Sequence, residues 1–242
     1  MIERSQPMKM KEMMEIGDYY EFLMQTFKTF QENPSQLESL LVKNEEKLTL
    51  KLRKALSNFV KIWMEMSATT EVKEVLGNYL SQLGNLLQVF TGGYPEINRE
   101  LAITCYQNAL TIYTQEDFPS YWATTQYNLG LAYGNRIQGN QAQNLEEAIT
   151  CFQNTLTIWT REKFPTDWAS TQYNLGLTYY HNRIQGNQAQ NLEDAISCYQ
   201  KALTILTRQD FPTDWAMTQN NLGLAYGNRI QGNQAQNLEE AI

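Results

Sequence analysis

Residues 168–190 read WASTQYNLGLTYYHNRIQGNQAQ, and near copies of this phrase begin at Trp122 and Trp215. Aligned on the three tryptophans, or on Cys105, Cys151 and Cys198, the copies stand 46 and 47 residues apart. Internal repetition at this period marks a solenoid: one helical hairpin cannot bury its apolar face alone, so hairpins stack and each covers the next. A stacked array offers surface rather than an enclosed reaction chamber, so binding is the class of activity expected.

Counting back 46 residues sets Leu83-Gly84 under Leu129-Gly130 and Ala102-Ile103 under Ala148-Ile149. The array therefore extends over residues 69–242, in repeats of about 69–117, 118–163, 164–210 and 211–242, the last truncated. First helices are expected from about Glu71, Ser120, Thr166 and Thr213, and second helices from near Asn98, Asn144 and Asn191. A fourth second helix would start at Asn237, and the sequence stops six residues into it at Ile242, which reads as a fragment of a longer protein.

Local chemistry supports these boundaries. Ser120, Thr166 and Thr213 each follow a Phe-Pro pair, where proline ends the preceding helix and the hydroxyl is placed to cap the next. Asn144 with Glu147 has cap-like spacing. Gly139, Gly186 and Gly232 fall in the turn between paired helices, where a positive φ costs glycine nothing. The middle copy has one extra residue, Tyr179-Tyr180-His181-Asn182 standing where the first has Tyr133-Gly134-Asn135, which predicts a bulge or a shifted helix end.

Residues 1–68 form an N-terminal helical cap. Met10, Met13 or Met14, Tyr20, Phe22 or Leu23, Phe27 and Phe30 share one side of a helix over 8–32. Asn33-Pro34 ends it, and Ser35 with Glu38 is a capping-box signature. A second helical region to about Met66, interrupted near Lys43-Asn44, holds Leu48, Leu52, Leu56, Phe59 and Trp63 in a stripe that must pack on the start of the array. A third helix runs from Glu71 to Phe90.

The formal net charge is −7, and from Leu101 onward 12 acidic residues face 7 basic ones. Without a basic stripe to neutralise phosphates, a nucleic-acid partner is excluded. No apolar run approaches the ~20 residues of a membrane span, and the opening MIERSQPMKMKEMME is no signal peptide. Cysteines at equivalent positions of stacked hairpins lie on the order of 10 Å apart, beyond disulfide reach. They are expected to be small buried side chains in a reducing, cytoplasmic setting.

Within each unit, Gln126-x-x-Leu129-Gly130-x-x-Tyr133 is followed by Ala148-x-x-x-Phe152. Later copies give Leu175-Gly176-x-x-Tyr179 with Ala195-x-x-x-Tyr199, and Leu222-Gly223-x-x-Tyr226. This pattern resembles the tetratricopeptide repeat, although the period exceeds that repeat's usual 34 residues. Over 101–242 the phrase FPTDWAxTQxNLGLAYxNRIQGNQAQNLEEAI further resembles the long repeats beside caspase-like CHAT peptidase domains in bacterial proteins. The resemblance implies an all-α, right-handed superhelical solenoid of helix pairs whose first helices line a concave groove. It also implies a recognition or regulatory role next to a peptidase domain.

No catalytic constellation is present. His181 is the one histidine, Walker, dinucleotide and zinc-helix patterns are absent, and no metal or cofactor is expected. The stripe of Trp122, Gln126, Leu129, Gly130, Tyr133 and Ile137 is core. A second stripe, through Thr124, Tyr127, Asn128, Leu131 and Asn135, is the one the resemblance turns toward the groove. Register then gives a candidate peptide-binding set of Asn128, Asn174 and Asn221, with Tyr127, Tyr173 and Asn220, and with Asn135, Asn182 and Asn228. An amide both donates and accepts, which suits an extended peptide backbone; the competing use of the same amides is bonding between neighbouring helices. Arg136, Arg183 and Arg229 either pair with Glu147, Asp194 and Glu240 or, turned into the groove, select an acidic peptide. A protein or peptide partner is thus expected, with self-assembly through the open last repeat as the alternative.

Overall fold

The structure is a computed structural model and describes residues 6–66, 69–182, 187–229 and 239. Among these it is all-α, with ten helices, two short 3₁₀ turns and no strand, and the helices pack on one another within each of two units. No helix of the described residues is long and apolar enough to cross a membrane. The chain divides into two compact units, Met1–Thr114 and Gln115–Ile242.

The first unit holds α1 (Gln6–Glu32), α2 (Leu37–Lys43), α3 (Leu50–Met66), α4 (Thr70–Val89) and α5 (Pro95–Leu110). Its core is an aromatic cluster drawn from three helices. Phe27 of α1 meets Trp63 and Tyr79 edge-on at 5.0 Å each, and Phe59 of α3 lies 6.0 Å from Phe27. Such tilted pairs add to the stabilisation from burial alone. The expected stripe is buried from Leu48 to Phe59, with Trp63 half-exposed, and it does pack on the α4–α5 pair. The side chains of Met10, Met13 and Met14 lie outside the described residues. The capping box does not form: Ser35 Oγ donates 2.6 Å to Asn33 Oδ1, because Pro34 opens a 3₁₀ turn there and no helical amide is presented to the hydroxyl. Thr69 does cap α4, accepting from Val72 N at 3.4 Å.

One contact in this unit has no counterpart in the sequence pattern. Glu100 of α5 is 1% exposed, and the Arg53 guanidinium of α3 reaches it at 3.3 Å while donating to Thr104 Oγ1 at 3.0 Å. A charge buried this deeply requires its partner.

The second unit stacks α6 (Pro119–Gly134), α7 (Gln141–Leu156), α8 (Pro165–Asn182), α9 (Gln188–Leu203) and α10 (Pro212–Gly227) in chain order, and α8 also touches both α6 and α10. The leucine-glycine motif explains the close approach inside each hairpin. A Cβ added at Gly130 would stand 2.8 Å from the Phe152 ring, and one at Gly176 2.9 Å from the Tyr199 ring. The same relation joins Gly84 of α4 to Tyr106 of α5 in the first unit, at 2.7 Å, so the α4–α5 pair is built on the repeat's packing rule.

Helix ends differ from expectation. Pro119 and Pro212 are first-turn residues and Phe118 and Phe211 hold the cap position, their carbonyls accepting from Trp122 N and Trp215 N at 2.8 Å. Proline's missing N–H is no loss there, so Ser120 and Thr213 sit inside the helices. The second helices are capped by Asn140 and Asn187, which accept from Gln143 N and Gln190 N at 3.1 and 3.2 Å. Asn144 and Asn191 fall within the helix and fasten the preceding turn, donating to Gln138 O at 2.8 Å and Asn182 O at 3.0 Å. Gly139 has φ +84°, as its place in the turn requires; Gly186, Gly232 and Asn237 lie outside the described residues. In the predicted core stripe Ile137 is the exception, 68% exposed beyond the end of α6.

Candidate functional site

Three first helices of the second unit, α6, α8 and α10, line one cleft of about 210 Å³. Tyr127 comes from α6, Ser170, Tyr173 and Asn174 from α8, and Asp214, Met217 and Thr218 from α10, with Leu206 at the floor. Each tyrosine is held within its own hairpin. Tyr127 packs on Phe152 and Trp159 of the α7 side at 5.9 and 5.4 Å, and Tyr173 packs on Tyr199 of α9 at 6.1 Å.

The tyrosine hydroxyls then reach forward one repeat. Asn174 Nδ2 donates to Tyr127 Oη at 3.0 Å and to Ser170 O at 2.9 Å. Asn221 Nδ2 donates to Tyr173 Oη at 3.1 Å. At the helix ends Asn228 Nδ2 donates to Tyr180 Oη at 3.1 Å and to Leu224 O at 2.7 Å. A ladder of hydroxyl and amide thus ties each first helix to the next, and the amide donors expected to meet a ligand are engaged inside the protein. Burial pushes the Tyr127 hydroxyl above its usual range, the nearby Asp167 carboxylate adds to the shift and the Asn174 bond opposes it.

The remaining predicted residues divide. Asn128 is half-buried on α6, and Asn220 is exposed on α10. Asn135 is exposed and donates back to Leu131 O at 3.0 Å. Asn182 does not join Asn135 and Asn228: it is 2% exposed and donates to Glu146 Oε1 of α7 at 2.6 Å. The cause is the extra residue, which extends α8 to 18 residues against 16 for α6 and α10. His181, exposed, takes the corresponding place beside Asn135 in a smaller cleft of about 110 Å³.

The regular arginines serve the stack. Arg229 grips Glu193 of α9 with two bonds, of 2.7 and 2.9 Å, and lies over the Tyr226 ring. Arg136 donates to Asn144 Oδ1 at 3.2 Å and lies over Tyr133. Arg183 and Glu240 lie outside the described residues. All three cysteines are unpaired and buried; burial pushes the Cys151 and Cys198 thiols up to about 12, and raises Cys105 as well.

Sequence reading missed Ser170, Asp214 and Met217. The signal for Asp214 was present, since Tyr121, Asp167 and Asp214 form a column one residue before each tryptophan. For Met217 it was not, because the equivalent positions are Thr124 and Ser170.

No family model matches the chain, and no curated protein does. Among solved structures it is similar to BtubC (BKLC) from P. vanneervenii, with a TM-score of 0.55 and 20% identity over 94% of this chain and 85% of that one. At that identity the likeness is one of fold. The chain is a helical-repeat protein of all-α architecture.

Proposed function

We propose that this chain is a non-catalytic scaffold of tetratricopeptide type that holds an extended segment of another protein across α6, α8 and α10. The observation that carries this is the single cleft to which three successive first helices contribute side chains. Helical-repeat folds use such surfaces for extended ligands. The phrase shared with repeats beside CHAT peptidase domains supports a role as the recognition or regulatory segment of such a system, in a reducing compartment that keeps the three thiols unpaired.

Panning a random peptide library tests the cleft. The chain is expected to retain a peptide set that the Met217→Trp variant loses, because Met217 is 49% exposed on the cleft wall and indole there would fill the space without disturbing a buried contact. Equal capture by both proteins would remove the cleft as the binding site. A second reading, self-association, draws on Leu224, 48% exposed on α10; light scattering showing a monomer at high protein concentration would end it.

A further inference from the structure

The cleft of α6, α8 and α10 is equipped to accept hydrogen bonds and positive charge. Asn174 has spent both amide hydrogens, on Tyr127 Oη and Ser170 O, while its Oδ1 accepts no hydrogen bond among the described residues. Asn221, outside the cleft lining, donates one amide hydrogen to Tyr173. The exposed Asp214 carboxylate on the opposite wall forms no ion pair or hydrogen bond among the described residues; only its backbone carbonyl is engaged, by Thr218. Asp167, one repeat earlier, lies near enough to Tyr127 to bear on its titration.

Four of the arginines of this unit are turned to other uses. Arg136 and Arg229 bond to Asn144 and Glu193, and Arg161 and Arg208 lie over Trp168 and Trp215 at 5.9 and 5.6 Å. Among the described residues no lysine or arginine lines the cleft. Acidic residues outnumber basic ones by 12 to 7 over the unit. A glutamate-bearing segment would meet like charge there, with donors confined to the hydroxyls of Tyr127, Tyr173 and Ser170, whereas a cation finds a carboxylate, an amide oxygen and two tyrosine rings.

We propose that the occupant of the cleft is a positively charged extended segment, seated by an arginine or lysine side chain between Tyr127, Tyr173 and the Asp214 carboxylate. This rests on the binding reading above and names the partner's chemistry. The cleft volume, about 210 Å³, exceeds the roughly 150 Å³ that holds a benzene ring, so one long side chain fits. Asp167 and Asp214, a repeat apart, present carboxylates in succession to a chain crossing the first helices.

Three dye-labelled peptides of one length, alternating serine with arginine, citrulline or glutamate, are titrated against the full 242-residue chain by fluorescence anisotropy. The arginine peptide is expected to bind about tenfold more tightly than its neutral citrulline counterpart, a gap that closes as salt is raised. Asp214→Asn is expected to weaken the arginine peptide about threefold, leave the citrulline peptide unchanged and keep the melting temperature. Equal binding of arginine and citrulline, preference for glutamate, indifference to Asp214→Asn, or no binding by any of the three would overturn the proposal. Panned peptides free of basic residues that Met217→Trp still blocks would reject the charge and keep the cleft. Capture indifferent to both changes would reject the two together.

Discussion

At the scale of single residues, the repeat is written in glycines that do unlike jobs. Gly130 faces the Phe152 ring so closely that a methyl group must displace it, and Phe152 is 1% exposed with nowhere to go. Gly130→Ala is therefore expected to cost about 1–3 kcal/mol by overpacking, offset in part by roughly 1 kcal/mol of helix propensity. Gly134, at the end of the same helix, has nothing within 4 Å, so Gly134→Ala should raise stability by about 0.5 kcal/mol. Urea melts of the two variants give opposite signs if this packing is right. The ladder yields a second test: a double-mutant cycle on Tyr127→Phe and Asn174→Ala is expected to show coupling of about 0.5–1.5 kcal/mol. Coupling near zero would mean that the tyrosine-amide bond contributes nothing.

These residues also show what the sequence could and could not tell. The period and the leucine-glycine spacing carried the fold, since burial of glycine against a ring leaves a pattern in every copy. The direction of each asparagine's hydrogens leaves none. Asn128, Asn174 and Asn221 are the same letter whether they meet a ligand or a neighbouring tyrosine, and only the forward reach of Tyr127 and Tyr173 separates the two. Asn182 was misplaced for a related reason: one inserted residue rotates everything after it by about 100° on a helix of 3.6 residues per turn.

At the scale of elements, helix starts and helix joints make distinct predictions. Asn140→Ala removes an exposed cap and should cost about 1 kcal/mol. Asn144→Ala strips a buried donor from Gln138 O and its acceptor from Arg136, so it is expected to cost more and to speed amide exchange through residues 135–140; equal losses would refute that order. In the first unit, Arg53→Met takes the guanidinium away from the buried Glu100 carboxylate and should cost about 3 kcal/mol. Arg53→Met with Glu100→Leu should recover most of this in a chemical melt, because the penalty belongs to a buried charge that has lost its counter-ion. Nothing in the spacing of residues 50–66 advertised this pair, which joins positions 47 apart in sequence.

At the scale of the whole molecule, buried acids set the alkaline limit. In the unfolded chain the thiols of Cys151 and Cys198 titrate near their ordinary value of about 9, while burial holds them protonated in the fold up to about 12. Raised folded values mean stability that is complete below pH 9 and drains as pH climbs toward 12, at up to about 1.4 kcal/mol per pH unit for each thiol. The hydroxyls of Tyr79 and Tyr106, raised by burial as well, steepen the fall. Urea midpoints measured from pH 8 to 11 are expected to be flat at first and then to drop. Cys151→Ala with Cys198→Ala should lessen the slope, and an unchanged slope would show that these thiols do not contribute.

Near-identical copies bring a hazard of their own, since a growing chain whose hairpins all offer the same amide, and two of them the same tyrosine before it, can zip together one tooth out of step. The longer α8 is where that slip is penalised. Among the described residues only the middle copy brings an asparagine to a glutamate of the preceding second helix, Glu146, so a mis-seated hairpin forfeits a bond that the correct order makes. The odd residue works as a serial number, telling otherwise interchangeable parts which of them comes second.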